Sequence, residues 1–385
     1  MKKIIASYLP ELTALRHDLH KHPELGFEET RTSGVIARTL ERYGLEVHTG
    51  WAKTGVIGTL KRGDSDRVIA LRADMDALPV EERSELAYRS IAKGVMHACG
   101  HDGHMAMLLG AARYLAEAGN FDGTAVFIFQ PAEEGDGGGC LMVEEGILKK
   151  LGIQAAYGMH NRSGLEAGAI STRTGPIMAA TDNFEITVHG QGTHAALPHT
   201  GVDPIITASE LVTSLQAVVT REIRALDSVV LSVTQFTSGT TFNVIPDDAL
   251  LRGCTRYQSP GVGAILQEAM ERVTAGVCAA HNARYTFRYI SGYPPTINTP
   301  GETAAAVRAA QKVVPHRVDE NCEPLMASED FSYFLEKVPG CYVFLGNGTH
   351  TRSHRSDFDF NDDVLPVGIA YWVALVEQEL GKDQV

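Results

Sequence analysis

A chain of 385 residues is too long for one ordinary hydrophobic core, so two domains are expected. Its composition, 44% hydrophobic and 21% charged, is that of a soluble globular protein. A formal net charge of −13 argues against nucleic acid or an anionic membrane as the main partner, and no apolar stretch reaches membrane-spanning length. The cysteines (Cys99, Cys140, Cys254, Cys278, Cys322, Cys341) have no repeated spacing and read as thiols, not as a disulfide framework. Residues 1–6 lack the long apolar core of a secretory signal, so a cytoplasmic protein with reduced thiols is expected.

Residues 11–20 carry apolar side chains at helical spacing and stop at His22-Pro23. A second helix is expected over 30–43, ended by Gly44. Val68-Ile69-Ala70-Leu71-Arg72 reads as a buried strand and delivers Asp74 and Asp76 just past its C-terminal end, where open α/β sheets place ligands. A small-residue helix is expected over 105–118, then a buried strand over 124–130 that ends at Pro131-Ala132-Glu133-Glu134 and a glycine-rich turn. The apolar run 155–159 leads to His160 in the same manner.

From about Asn183 the pattern changes. Phe184-Glu185-Ile186-Thr187-Val188 alternates like a half-buried strand. Helices over 203–223 and 261–280 and strands over 229–234, 249–254 and 284–290 complete a β-α-β-β-α-β order, that of a ferredoxin-like unit. Gly175-Pro176 and Pro294-Pro295 bracket it. The expected architecture is therefore α/β: a catalytic domain (1–182 and 296–385) with a mostly parallel sheet flanked by helices, and an inserted α+β domain (183–295). The chain then returns through a helix at 303–313, a strand at 342–345 and a closing helix at 364–380.

The richest chemistry lies in His97-Ala98-Cys99-Gly100-His101-Asp102-Gly103-His104, followed some way on by Glu133-Glu134. Cys99 and His101, two apart in a glycine-rich loop, can reach one ion of the Zn type. A lone Cys-x-His also occurs as a buried thiol beside a capping histidine; three further titratable residues within the same run favour a metal. Glu133 and Glu134 follow a wholly apolar strand and precede glycines, so they are presented on a rigid edge. Two solvated carboxylates at a loop start are the bland reading, the usual fate of Glu; in the functional reading Glu134 binds metal, and Glu133 takes a proton from water whose pKa the metal has lowered. His160 and His354, each alone, read more often as structural than as ligating. His194, in Gly190-Gln191-Gly192-Thr193-His194, is either a loop histidine or a donor to developing negative charge.

These residues resemble the metal-dependent amidohydrolases of the hippurate hydrolase, N-acyl-amino-acid amidohydrolase and auxin-conjugate hydrolase group, within the aminoacylase–carboxypeptidase clan. The resemblance runs through Arg16-His17-Asp18-Leu19-His20-Lys21-His22-Pro23-Glu24-Leu25, Arg72-Ala73-Asp74-Met75-Asp76-Ala77-Leu78-Pro79, the Cys99 run, Gln130-Pro131-Ala132-Glu133-Glu134-Gly135, Gly158-Met159-His160-Asn161, Thr193-His194-Ala195-Ala196, Asn243-Val244-Ile245-Pro246 and Asp359-Phe360-Asn361-Asp362. It implies two divalent ions per subunit, Zn first and Mn, Co or Ni as alternatives, held by Cys99, His101, Glu134, His160 and His354. His350 is close by, and counting back from Asp359-Phe360-Asn361-Asp362 selects His354.

By the same resemblance Glu133 is the base, Asp76 orients a ligand, and Asp74 stands where the wider clan has a ligating histidine, which makes Asp74 a doubtful ligand. The inserted domain is implied to be a lid and dimer interface, with His194 reaching the partner subunit's site and Asn243 and Arg256 contacting the substrate carboxylate. A surface salt bridge is the alternative for Arg256. The implied reaction is hydrolysis of N-acyl amino acids, hippurate-like N-aroyl or N-acetyl, by a homodimer, with a tetramer as the alternative state. Dipeptidase or carboxypeptidase activity, and a non-catalytic protein that binds metal and an amino-acid derivative, are the competing readings.

Overall fold

The computed structural model describes residues 1–348 and 352–381. They form two compact units. The larger comprises residues 1–177, 297–323 and the described chain from 330 onward; the smaller comprises 178–296 together with 324–329. The segment 324–329, expected with the larger domain, packs with the smaller one, where the Ala179 N–H donates to the Ala327 carbonyl at 2.8 Å.

The larger unit is built on an eight-stranded sheet. Its strand order is Glu46–Trp51, Gly55–Arg62, Gly123–Gln130, Val68–Asp74, Ala155–Ser163, Gly340–Gly348, Ile170–Ser171, Val318–Asp319. The central strands are parallel: Val68–Asp74 pairs with Gly123–Gln130 on one side and with Ala155–Ser163 on the other, which in turn pairs with Gly340–Gly348. Their side chains are buried almost throughout, as strands covered on both faces must be, which is why they read as continuous apolar runs rather than as alternation. Helices Lys2–Lys21, His101–Ala118 and Leu365–Glu379 pack together. The core they share with the sheet is centred on Phe127, Phe129, Tyr157, Leu109, Tyr371 and Trp372.

The first helix starts well before the expected position and carries Pro10 inside it. A proline in a helix interior costs about 3 kcal/mol. Ile5 and Tyr8, only 2% and 3% exposed, lie on the turns before it. Burying such side chains contributes about 1.5–3 kcal/mol each, enough to offset the break. The helix expected from 105 begins at His101, so His101 and His104 share its first turn. The strand Ala155–Ser163 continues past His160, so this histidine lies within a strand.

The smaller unit has the β-α-β-β-α-β order. Its antiparallel sheet runs Val229–Ser238, Asp248–Tyr257, Ala180–His189, Arg284–Ser291. Phe184, Ile186 and Val188 alternate inward along Ala180–His189 and meet Leu211 and Leu215 of helix Pro204–Arg221 and Leu266 and Met270 of helix Val262–Ala280. Asp203 caps the first of these helices by accepting from the Ile205 N–H at 2.9 Å, with Pro204 in its first turn. Among the described residues no helix is long and apolar enough to cross a membrane.

Candidate metal centre

Parallel strands with their helices between them bring their C-terminal ends to one edge of the sheet. In the larger unit Val68–Asp74 delivers Asp74 and Asp76, Gly123–Gln130 delivers Glu133 and Glu134, Ala155–Ser163 carries His160, and helix His101–Ala118 starts there. Gly100, at the N-terminal boundary of that helix, has φ +94°, and a Cβ on it would stand 2.3 Å from Asn161 Oδ1. Only glycine meets both demands.

The acidic turn is held from behind. Ala132 has φ +55°, and its N–H donates to Glu29 Oε1 at 2.9 Å; Thr54 Oγ1 donates to the other Glu29 oxygen at 2.5 Å. Burial raises the Glu29 carboxyl above the usual range. A Cβ on Gly138 would lie 1.8 Å from the Pro131 carbonyl, so the chain turns back on itself tightly after the acidic pair. Asp76 completes the support: one oxygen accepts from the Glu134 N–H at 2.9 Å, and the other lies 3.2 Å from His101 Nδ1.

Cys99, His101 and Glu134 each offer a ligand atom, all within 4.8 Å of one another. His160 Nε2 lies 3.3 Å from Cys99 Sγ. His354 Nε2 lies 3.4 Å from Glu134 Oε1. The His354 backbone, at φ +66°, is anchored by its N–H to the Ala98 carbonyl at 2.7 Å, and its side chain is 56% exposed. Thus Cys99, His101, Glu134, His160 and His354 converge, with Glu133 buried next to Glu134. His350 lies outside the described residues.

The donor set suits a divalent cation. Among the described residues His101 Nε2 is buried without a hydrogen-bond partner, although polar atoms in such surroundings are normally satisfied, and Glu134 Oε1 faces imidazole nitrogens, His354 Nε2 at 3.4 Å and His101 Nε2 at 3.9 Å. Burial opposes charge on His101, but Asp74, Asp76 and Glu134 outweigh it and raise the imidazole to about 10. Burial, followed by Glu134, Glu133 and Asp74, pushes the Cys99 thiol well up. Without a cation this crowd of acids therefore favours protons on both side chains. A divalent cation among them reverses that balance and deprotonates a coordinating thiol.

Asp74 and His104, which also approach His101 and His160, are engaged elsewhere. Asp74 accepts from Arg72 Nη1 at 2.8 Å and from His104 Nδ1 at 2.5 Å. Burial acts to raise its carboxyl, but His101, His104 and Arg72 outweigh that and hold it well below the usual range. Arg72 also donates to Gln130 and Asp330, and Asp330 accepts the Gly139 N–H at 2.8 Å. Sequence reasoning missed Arg72, Gln130, Asp330, Glu29 and Asn161; its available signal was an arginine inside an otherwise apolar strand. His97, part of the same run, does not join the cluster: it is buried beside His20, and burial lowers it to about 4.

His194, Asn243 and Arg256 belong to the smaller unit. His194 pairs with Val244 in a short two-stranded ladder, and the Asn243 carbonyl accepts from the Ala195 N–H at 3.0 Å, so these exposed residues are neighbours. Arg256 lies on strand Asp248–Tyr257, and its Nη1 donates to Ser328 Oγ at 3.2 Å.

The sequence model of peptidase family M20/M25/M40 matches residues 70–378. A hippurate hydrolase of Campylobacter jejuni is 38% identical over 369 residues, 95% of each chain. An N-acetylcysteine deacetylase of Bacillus subtilis is 38% identical over 94% of this chain and 95% of its own. A solved Bacillus subtilis structure, described as a dinuclear metal binding peptidase from the M20 family, superposes with a TM-score of 0.85 at 35% identity over 96% of this chain and 98% of its own.

Proposed function

This chain belongs to peptidase family M20/M25/M40 and is a metal-dependent amidohydrolase, and we propose that it uses two divalent ions to split N-acyl amino acids into a carboxylic acid and a free amino acid. The observation that carries the reading is the convergence of Cys99, His101 and Glu134 within 4.8 Å beside a second buried carboxylate, Glu133. In this reading Cys99, His101, Glu134, His160 and His354 hold the ions, and thiol and imidazole donors make Zn²⁺ the first choice over Mn²⁺. Bound there, the ions supply Lewis acidity toward the scissile carbonyl and toward water.

The protein's own groups do the rest. Asp76 fixes the orientation of His101 and the backbone of Glu134. Glu133 takes the proton from the attacking water and returns it to the leaving amine nitrogen, so a single carboxyl serves as base and then as acid. His194 donates to the oxygen that becomes negative in the tetrahedral intermediate. Asn243 and Arg256 receive the substrate carboxylate, for which a guanidinium fork is suited.

The smaller unit serves as lid and dimer interface in the same reading. Its strand Val229–Ser238 is a sheet edge that exposes Val230 and Phe236, 40% and 43% accessible. Such an edge is a template for pairing, and a two-fold dimer brings the same patch from both subunits together. His194 then acts on the partner subunit's substrate. A reducing, cytoplasmic setting keeps Cys99 available as a ligand.

Metal analysis combined with a hydrolysis panel, before and after chelation, tests the proposal. N-benzoyl and N-acetyl amino acids are expected to be cleaved, with activity lost to a chelator and restored by a divalent ion. Preferential cleavage of dipeptides would move the substrate class. Metal-replete protein inert toward the whole panel would leave a binding role instead.

A further inference from the structure

The histidines proposed to ligate metal are positioned by different means. His101 is oriented directly by Asp76, whose backbone carbonyl lies 2.9 Å and whose carboxylate lies 3.2 Å from its Nδ1. Among the described residues no carboxylate bonds His160; its Nδ1 donates instead to the Asn161 carbonyl at 2.6 Å, leaving Nε2 facing Cys99 Sγ at 3.3 Å. Beyond the strand ladder, where it faces Leu345, the Asn161 backbone is tied to the helix His101–Ala118 by His104. The Asn161 N–H donates to His104 Nε2 at 3.0 Å, and the Asn161 side-chain amide lies 2.6 Å from the same nitrogen. The other His104 nitrogen, Nδ1, donates to Asp74 at 2.5 Å, and Arg72 donates to the far oxygen of Asp74 at 2.8 Å.

Every member of this series is buried: Arg72 1%, Asp74 0%, His104 2% and Asn161 2% exposed. The His104 and His160 rings are 4.5 Å apart, yet both His104 nitrogens are engaged by protein, which removes it from the ligand set despite its place in the Cys99 run. Gly100 leaves room for the Asn161 side chain, so the helix start and the strand carrying His160 are locked at this point.

We propose that His104 is a positioning residue: backed by the Asp74–Arg72 pair, it fixes the Asn161 peptide and thereby selects which His160 nitrogen is presented beside Cys99. The inference rests on the reading of Cys99 and His160 as metal ligands. Partners of this kind typically change metal affinity by about 10- to 100-fold.

The test exploits the shapes of two amides. His104→Gln places an amide near the position of Nε2 and keeps the Asn161 contact while losing Asp74. His104→Asn keeps a donor near Nδ1 for Asp74 and loses Asn161. Metal-free wild type and both variants are titrated with Co²⁺ against a competing chelator, reading the Co–thiolate absorption of Cys99, and each is also melted thermally. H104N is expected to bind Co²⁺ about 10- to 100-fold more weakly with a diminished thiolate band, and H104Q to stay closer to wild type, although both lose His104 packing.

Wild-type affinity in H104N overturns the inference. So do equal losses in both variants that follow equal falls in melting temperature, which would mark a packing role. If neither variant folds, Asp74→Asn decides: unchanged Co²⁺ affinity in a folded D74N protein overturns the proposal, as does a loss with an undiminished Co–thiolate band, which would mark the direct action of Asp74 on His101; a loss with a diminished band and an intact melting temperature supports it. Wild type that takes up no Co²⁺, or takes it up and cleaves no N-acyl amino acid, overturns the functional reading itself, so the two failures are distinguishable.

Discussion

Asp76 binds the Glu134 backbone N–H through one carboxylate oxygen and faces His101 Nδ1 through the other, joining two proposed ligands from different parts of the chain. An asparagine has one acceptor oxygen and no charge, so it can serve only one of these groups. Asp76→Asn is therefore expected to weaken metal binding by about 10- to 100-fold and to lower turnover with it. Chelator competition and kcat, measured on the same preparation, check this; unaltered affinity would remove Asp76 from the role.

Glu133→Gln is expected to keep both metals while turnover falls by about 10²–10⁴-fold, the usual contribution of a proton-transfer group. His194→Ala should lower activity with metal content intact. Each homodimer then lacks one component of the reaction. Mixing the two variants should restore activity in the mixed dimer, where one active site combines an intact Glu133 with a partner's intact His194. A verified mixed dimer with no restored activity rules out action across the interface.

Gly100→Ala places a methyl group where Asn161 Oδ1 lies, on a backbone with φ +94°. The left-handed backbone alone costs about 1–2 kcal/mol, and displacement of Asn161 adds to it. Lower stability in denaturant and reduced metal content together are expected. A variant destabilised but fully metal-loaded would show that Asn161 tolerates the shift.

The pH dependence of folding should carry a contribution from His20, which is buried between Asp102 at 2.9 Å and Glu82 at 3.4 Å. Burial lowers its pKa, but the charge and hydrogen bond of Asp102 outweigh that and raise it to about 9. Below the ordinary value near 6.5 both the folded and the unfolded chain hold the proton, and the stabilisation is complete. As pH climbs from about 6.5 to about 9 the unfolded chain releases the proton first, and the contribution is lost. Urea denaturation across this range should show wild type losing stability relative to His20→Gln; a constant difference would place the His20 proton elsewhere.

Much of this was legible in the residues. Continuous apolar runs marked the parallel strands, since a strand covered on both faces has no polar side to reveal. Alternation over 184–188 marked a strand with one buried face, and the Cys99 run and the Glu133-Glu134 pair marked the ends where ligands gather. The start of the first helix was hidden because Pro10 is a local signal to stop, overruled by burial of Ile5 and Tyr8, which only packing supplies.

Local spacing and periodicity thus determined the element types, the α/β class and the kind of side chain at the site, because these depend on neighbours within a few residues. Tertiary structure decided the partners. Arg72 meets Asp330 across 258 positions, His104 meets Asn161 across 57, and Asp76 meets Glu134 across 58. Such pairings follow from strand order and from a helix docked at one sheet edge. They bring together groups whose sequence separation carries no trace of their distance. His97 and His101 are equally buried, so neither residue type nor burial separates them; the carboxylates of Asp74, Asp76 and Glu134 that the fold gathers around His101 do.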